Sequence, residues 1–516
     1  MEGPLREEGE MKQEESSRRQ KGGIRTMPFI LANESFEKVA SYGIHPNMIR
    51  YLMSDYHMGF AEGTNVLLRW SAATNFLPVI GAFLSDSLLG RFLTIFLGSI
   101  FSLLGMILLW LTTMIRDAKP PPCNPWVPHS CESPTPIHYT LLFSAFGLIS
   151  IGGGGVHPCS LAFGADQIDC QDNPNRMRAL GSFFGWYYAT AIMAVMIAFT
   201  GIVYIQDHHG WRVGFGIPVV LMLLATIFFV AAYPLYYKIK VEKSVFTSFC
   251  QVILVAWKHR NLSLPDSSDG LWYNGNDAKV TTPTKTLRFL NKACIPSKPE
   301  DMNEDSAKDR WNICTVDQVE ELKTLIKDNP VMVLQYNVIG DHEPNHISGL
   351  CFSIVAMVVS GVVEHVRKNK AIADGFINDS QSVITMSALW LIPQNVLNGL
   401  AEALNIIGQT EFYYSEFPKS MSSIASALYL LGLAIASLLA SFLLSTVDSL
   451  TTGKGKESWI STNINKGQYD KYYWLLAIMS CINFLYYVVC SRAYGPGVDK
   501  TVVTSEESGE NEASRS

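Results

Sequence analysis

Charge is missing from the longest apolar stretches of this 516-residue chain. Residues 92–114, 179–205 and 213–237 contain no Asp, Glu, Lys or Arg. Crossing the hydrocarbon core of a bilayer takes about 20 apolar residues. A soluble helix of that length would keep a polar face, so these stretches read as membrane spans. A basic excess is missing too. Lys and Arg total 40 against 46 Asp and Glu, a net charge of −6, which gives no sign of a nucleic-acid partner. A cleavable signal peptide is not evident: the tail to Arg25 is polar, with mixed charges and no apolar run before a small-residue cleavage site. The first span is therefore expected to act as its own insertion signal. Metal-ligand clusters and nucleophile–base arrangements are also lacking, so neither an enzyme nor a metal or cofactor site is expected. The run "GGGGVHP" lacks the Gly-Lys-Ser/Thr of a phosphate-binding loop; its glycines suit close helix packing instead.

What is present is a series of ten candidate spans: 27–51, 64–85, 89–114, 137–156, 179–205 and 211–237, then 347–363, 380–407, 420–447 and 472–490. The expected organisation is a disordered N-terminal tail (1–26), a six-helix bundle (27–238), a linker with amphipathic helices (239–346), a four-helix group (347–491) and a disordered C-terminal tail (492–516). Six Lys and Arg lie in the N-terminal tail and fourteen between residues 238 and 327. An excess of these residues marks the cytoplasmic side, so the tail, the linker and, with an even span count, the C-terminus are read as cytoplasmic. The loop "VRKNK" (366–370) disagrees, because it would face outward. Within the linker, "SVFTSFCQVILVAWKHR" suits a helix lying on the membrane surface, and Thr315 followed by Gln318 is a capping-box start.

Of the ten cysteines, Cys123 and Cys131 share the outward Pro-rich loop "PPCNPWVPHSC" and form a candidate disulfide. The alternative is two free thiols.

The first candidate span carries "NESFEK", with Glu34, Glu37 and Lys38. A charge at the bilayer centre costs about 2.5–3.5 kcal/mol on insertion scales, so three are tolerable only on a face that meets a polar interior. Their i,i+3 and i,i+4 spacing puts them on one face. One lysine cannot satisfy two glutamates, so one carboxyl is expected to bind a proton reversibly. The alternative is a span that begins later and leaves these charges among lipid headgroups. Far along the chain, "GLAEALNIIGQTEF" places Glu402 in mid-span, with Asn405 and Gln409 expected on its face, and Glu411 near the span's end. Glu402 reads as a cavity-lining acid or as a helix–helix polar contact, and Glu411 as part of a gate or a snorkelling end. Between the second and third spans, "GAFLSDSLLGR" carries Asp86, Gly90 and Arg91, with Asp86 able to cap or pair at the next helix.

These motifs together resemble a known family. "NESFEK" is similar to the E-x-x-E-[R/K] motif in the first helix of the proton-dependent oligopeptide transporter family. "GAFLSDSLLGRFLTI" and "PCSLAFGADQID" resemble its second-to-third and fourth-to-fifth helix regions. "RWNICTVDQVEELKTLIK" and "GLAEALNIIGQTEFYYSEFP" resemble its plant branch, the nitrate/peptide transporters. The resemblance implies an all-α major-facilitator-type fold of two six-helix bundles, and proton-driven uptake of nitrate, short peptides or other small, mostly anionic solutes. It implies proton coupling through Glu34, Glu37 and Lys38, substrate contacts at His157, Glu402 and Tyr42, and gate or structural roles for Asp86, Gly90, Arg91 and Glu411. The expected partners are protons, a small anion or short peptide, the lipid membrane and a homo- or hetero-oligomeric neighbour. The plasma membrane is the expected location, with the vacuolar membrane as the alternative.

Two departures from the family pattern stand out. His157 holds a position before Pro-Cys where the family usually has lysine or arginine, and a histidine there can accept and release a proton near neutral pH; the alternative is a ring tucked against the glycines. The second half shows four spans where the family has six, and "VMVLQYNVI" is too short to span as a helix. The seventh and eighth helices are expected to be absent, leaving open a working proton-coupled transporter or a transport-inactive form acting as a regulatory membrane protein.

Overall fold

The computed structural model describes residues 22–115, 117–121, 134–169, 176–238, 245–260, 272–273, 283–284, 287–295, 313–327, 344–379, 383–416, 422–453 and 457–494. Among the described residues there is no strand. The helices are α1 (Met27–Ile44), α2 (Met48–Ser54), α3 (Phe60–Leu84), α4 (Arg91–Met114), α5 (Pro136–Asp169), α6 (Arg176–Ile197) and α7 (Val203–Ala231). They continue with α8 (Val245–Lys258), α9 (Val316–Lys327), α10 (Pro344–Ala373), α11 (Ile392–Glu416), α12 (Ser422–Thr451) and α13 (Tyr469–Tyr494). Seven described stretches are long and apolar enough to cross a membrane. One of them, Arg178–Ala231, runs through both α6 and α7, and Gly210 at φ 76° breaks it inside α7. The long helices that fall short are α1 and α11, which carry the acidic residues singled out above.

Several expected boundaries move: 347–363 extends to Ala373, 380–407 becomes Ile392–Glu416, and two changes bear on the site. The first stretch, 27–51, is two helices, α1 and α2, separated at His45-Pro46-Asn47. Proline supplies no N–H to a continuing ladder and disfavours helical backbone in the residue before it. The fourth helix does not stop at residue 156. It runs through Pro158 to Asp169. The carbonyl that Pro158 leaves without a helical donor is that of Gly154, and it lies so close to α3 that a Cβ at Gly81 would collide with it. Gly98 and Gly105 of α4 also pack closely on the backbone of α5, at Gly152 and Ile149. Small residues thus bring three helices to backbone contact around the segment that carries His157.

Two compact units form. The first contains α1–α9 and most of α12; the second contains α10, α11 and α13. In the first, one apolar core centres on Tyr51, whose ring meets Tyr56, Trp211 and Phe215 edge-on at 5.6, 5.3 and 5.1 Å. Its hydroxyl pairs with Thr112 Oγ1 at 2.9 Å. A second core gathers Ile30, Phe163, Phe183, Phe229 and Tyr236. Helix α12 joins this unit through Ser441 Oγ, which donates to Asn65 Oδ1 at 2.8 Å. The capping box at α9 is present in both directions: Thr315 N–H donates to Gln318 Oε1 at 3.0 Å, and Gln318 N–H to Thr315 Oγ1 at 3.3 Å.

In the second unit α10 packs against α11 and α13. The basic residues of "VRKNK" belong to α10. Arg367 is held by Glu364, Asn465 Oδ1 and the Ile464 carbonyl, and Lys368 Nζ donates to Gly467 O at 2.8 Å. Two of its three cations are therefore bound by protein groups.

Candidate functional site

Helix α1 turns its polar face into the first unit. Glu34 and Glu37 are buried to 1% and 0% exposure. Lys38 Nζ sits 3.4 Å from Glu34 Oε1 and 3.3 Å from His157 Nδ1. Ser160 Oγ donates to Glu34 Oε2 at 2.7 Å, and the Tyr187 hydroxyl also reaches this carboxylate. Glu37 is held differently. Ser41 Oγ donates to its Oε1 at 2.6 Å, and His157 Nε2 stands 3.9 Å from the same atom. Its Oε2 is buried without a hydrogen-bond partner among the described residues, as is the neighbouring Asn33 Oδ1. The two glutamates are thus unequal: Lys38 is paired with Glu34, whereas Glu37 has a hydroxyl, a distant imidazole and one vacant acceptor.

This geometry fixes the tautomer of His157. An ammonium has only donors, so Nδ1 accepts from Lys38 and the ring proton lies on Nε2, on the side of Glu37. Gly153, one turn earlier in α5, makes room for the ring, since a Cβ there would lie 3.2 Å from Cδ2 and Nε2. Tyr42 is next to the cluster, its ring 5.4 Å from Lys38 Nζ and 6.3 Å from the ring of Phe199.

The turn after α3 gathers a second set. Ser85–Leu89 forms a wide helical turn, and Gly90 leaves it at φ 77°, a conformation that favours glycine. Arg91 then points back, its Nε 3.3 Å from Asp86 Oδ1. Its Nη1 donates to both oxygens of Asp166 at 2.7 and 2.6 Å. The turn motif offers Asp86 as a cap or a pairing group for the next helix; Asp166 lies beyond residue 156, where the sequence ends the fourth helix, and so is not anticipated. Ser160 was missed for the same reason: it lies three residues after His157, on the same face of a helix that continues.

Glu402 belongs to the second unit, on α11, and is exposed. Asn405, expected to share its surroundings, instead sends Oδ1 towards Gly349 of α10, where a Cβ would meet it at 2.7 Å. The Glu411 side chain, Gln409, Cys123, Cys131 and "VMVLQYNVI" lie outside the described residues or side chains. Among the described residues no group of three or more His, Cys, Asp and Glu could hold a metal ion.

Comparison with known proteins gives a consistent answer. The model of the POT family matches residues 92–336 and 347–460. The chain is 50% identical to Protein NRT1/PTR FAMILY 1.2 of Arabidopsis thaliana, covering 97% of this chain and 94% of that protein. It is likewise 50% identical to NRT1/PTR FAMILY 1.1 of the same plant, over 94% of this chain and 93% of that one. The first alignment runs over 572 positions against the 516 residues of this chain, so at least 56 of its positions have no counterpart here. Among solved structures, the POT family transporter PepTSo superimposes with a TM-score of 0.59 at 15% identity, covering 91% of this chain and 98% of that one.

Proposed function

This chain belongs to the POT family, an all-helical family of membrane transporters, and from that premise we propose that it is a proton-coupled symporter of nitrate or a similar small anion, in which Glu37 binds the proton. The observation that carries the reading is the Oε2 of Glu37, buried with no hydrogen-bond partner among the described residues while Lys38 pairs with Glu34. A proton on Glu37 removes a buried charge that no cation neutralises at close range, since Lys38 is committed to Glu34. When Glu37 gives up the proton, it becomes an anion on the far side of His157 from Lys38, which raises the cost of a second anion nearby. Proton and anion are then favoured together, as symport requires. Lys38 and the ring N–H of His157 supply the donors that suit an anion, and Tyr42 stands at their edge. Short peptides are the runner-up substrate class, with Glu402 available to meet an amino group.

A second reading rests on a different observation. At least 56 aligned positions of the relative are lacking here, enough for two spans of about 20 residues and a connection, and the family match is interrupted between residues 336 and 347. In that reading the chain inserts but does not transport alone. Uptake of labelled nitrate into proteoliposomes under an imposed inward proton gradient tests both. Accumulation above the equilibrium level supports the symporter. Accumulation only in a version with the absent segment restored supports the inactive form. Peptide accumulation without nitrate accumulation replaces the substrate assignment.

A further inference from the structure

Helix α8 is apolar on two faces. One packs inward through Phe249, Val252, Val255, Ala256 and His259, all buried. Two hydrogen bonds fix that orientation: Gln251 Nε2 donates to the Ile313 carbonyl at 3.2 Å, and His259 Nδ1 lies 3.1 Å from the Lys292 carbonyl. The opposite face should be polar if water covers it. It is not. Cys250, Ile253, Leu254 and Trp257, at i, i+3, i+4 and i+7, are exposed, the last three to 51, 53 and 66%. Phe289, 57% exposed, belongs to the segment that packs on α8. Cations flank this face. Lys258, Arg260 and Arg288 are exposed, and the Arg260 guanidinium lies 5.0 Å from the Trp257 ring. Within residues 245–260 and 287–295 there is no Asp or Glu. The acids of the neighbouring α9 are Asp317, Glu320 and Glu321, and Glu320 is held by Lys323 and Thr284.

We propose that this face of α8 docks on an anionic lipid surface, that of the membrane in which the protein itself is embedded, with Ile253, Leu254 and Trp257 among the upper acyl chains and Lys258, Arg260 and Arg288 at acidic headgroups. A basic-rimmed apolar helix face with a tryptophan is the chemistry of an interfacial helix. Its position agrees. Helix α8 touches the turn Ser85–Leu89 that joins two membrane-length helices, and that turn itself exposes Leu88 and Leu89. The bound lipid would therefore sit beside the segment that positions Asp86 for Arg91, giving membrane composition a physical route to that ion-pair cluster.

The test uses the full chain in nanodiscs, with the accessible native cysteines, Cys250, Cys351 and Cys481 among them, replaced by Ser and a spin label on Ile253→Cys. In bilayers containing phosphatidylserine the label should be several-fold more accessible to oxygen, relative to a water-soluble nickel chelate, than a label on Asp317→Cys. The preference should weaken in purely neutral lipid, and in the triple variant Lys258→Gln/Arg260→Gln/Arg288→Gln. These changes are on exposed side chains and leave the packed face of α8 intact. A nickel-accessible label in both lipids would overturn the docking. A label equally buried in both lipids and indifferent to the triple variant would overturn the acidic-lipid preference. Protection that appears only in native membranes would assign the face to a protein partner instead.

Discussion

Helices α1 and α11 both carry acids where a membrane-length helix should have none, yet the structure treats them oppositely. Glu34 and Glu37 are buried and enclosed by Lys38, Ser41, His157, Ser160 and Tyr187, drawn from three helices. Glu402 is exposed, in a unit of three long helices. An acid within an apolar helix thus marks a polar site only when enough neighbouring helices surround it. The first unit has them. The second is where the family relatives hold sequence that this chain lacks, on the reading proposed above.

The largest effect is expected at the enclosed end of this comparison. Glu37→Gln preserves shape but cannot release a proton. Gradient-driven accumulation in proteoliposomes should collapse to simple equilibration, while exchange of substrate across the membrane without a gradient persists. If gradient-driven accumulation survives, the proton is carried elsewhere, with Glu34 the next group to examine.

Lys38→Met should reveal how much of the cluster is electrostatic. It leaves Glu34, 1% exposed, with hydroxyl partners and no close ammonium. Breaking a buried ion pair on one side costs about 3–5 kcal/mol in soluble proteins. The melting temperature in detergent should fall clearly and recover in the double variant Glu34→Gln/Lys38→Met, which removes the stranded charge. Equal stability of the single and double variants would mean that Glu34 is not held as an anion.

Much of the first site was legible because it is local. Glu34, Glu37 and Lys38 lie within two turns of one helix, and helical spacing alone puts them together. Asp86, Gly90 and Arg91 were legible as a turn motif. What escaped was non-local. Asp166 and Ser160 come from α5, which packs on α3 and α4 through close glycine contacts, and Tyr187 comes from α6, whose Phe183 packs against Gly164 of α5. Ending the fourth helix at residue 156 also hid the face that continues through Pro158. The all-helical fold was readable from apolar length, but the packing of α12 with the first unit was not. That depends on side-chain pairs such as Ser441 with Asn65, which no periodicity announces.

His157 separates two accounts of the anion site. The sequence alone suggests an imidazolium that serves at acidic pH. In the structure Nδ1 accepts from Lys38, so the neutral ring both orients the ammonium and turns an N–H towards Glu37. His157→Ala should then reduce uptake by about tenfold, the scale of one hydrogen bond to a charged group, and by a similar factor at acidic and neutral pH. A loss confined to acidic pH would restore the imidazolium account. Unchanged uptake at both would leave the ring as packing.

The smallest effect is expected at Glu402. Its side chain is exposed, and Asn405 is turned towards Gly349. Replacing an exposed surface group rarely changes stability, so Glu402→Gln should leave the melting temperature of this chain almost unmoved. The informative comparison is with a version that has the absent segment restored. If the missing helices normally enclose Glu402, as α5 and α6 enclose Glu34, the same substitution there should alter stability and substrate selectivity together. An equally silent substitution in both versions would show that Glu402 faces its surroundings freely whether or not the segment is present. The contrast between α1 and α11 would then reflect the design of the second unit, not its loss of helices.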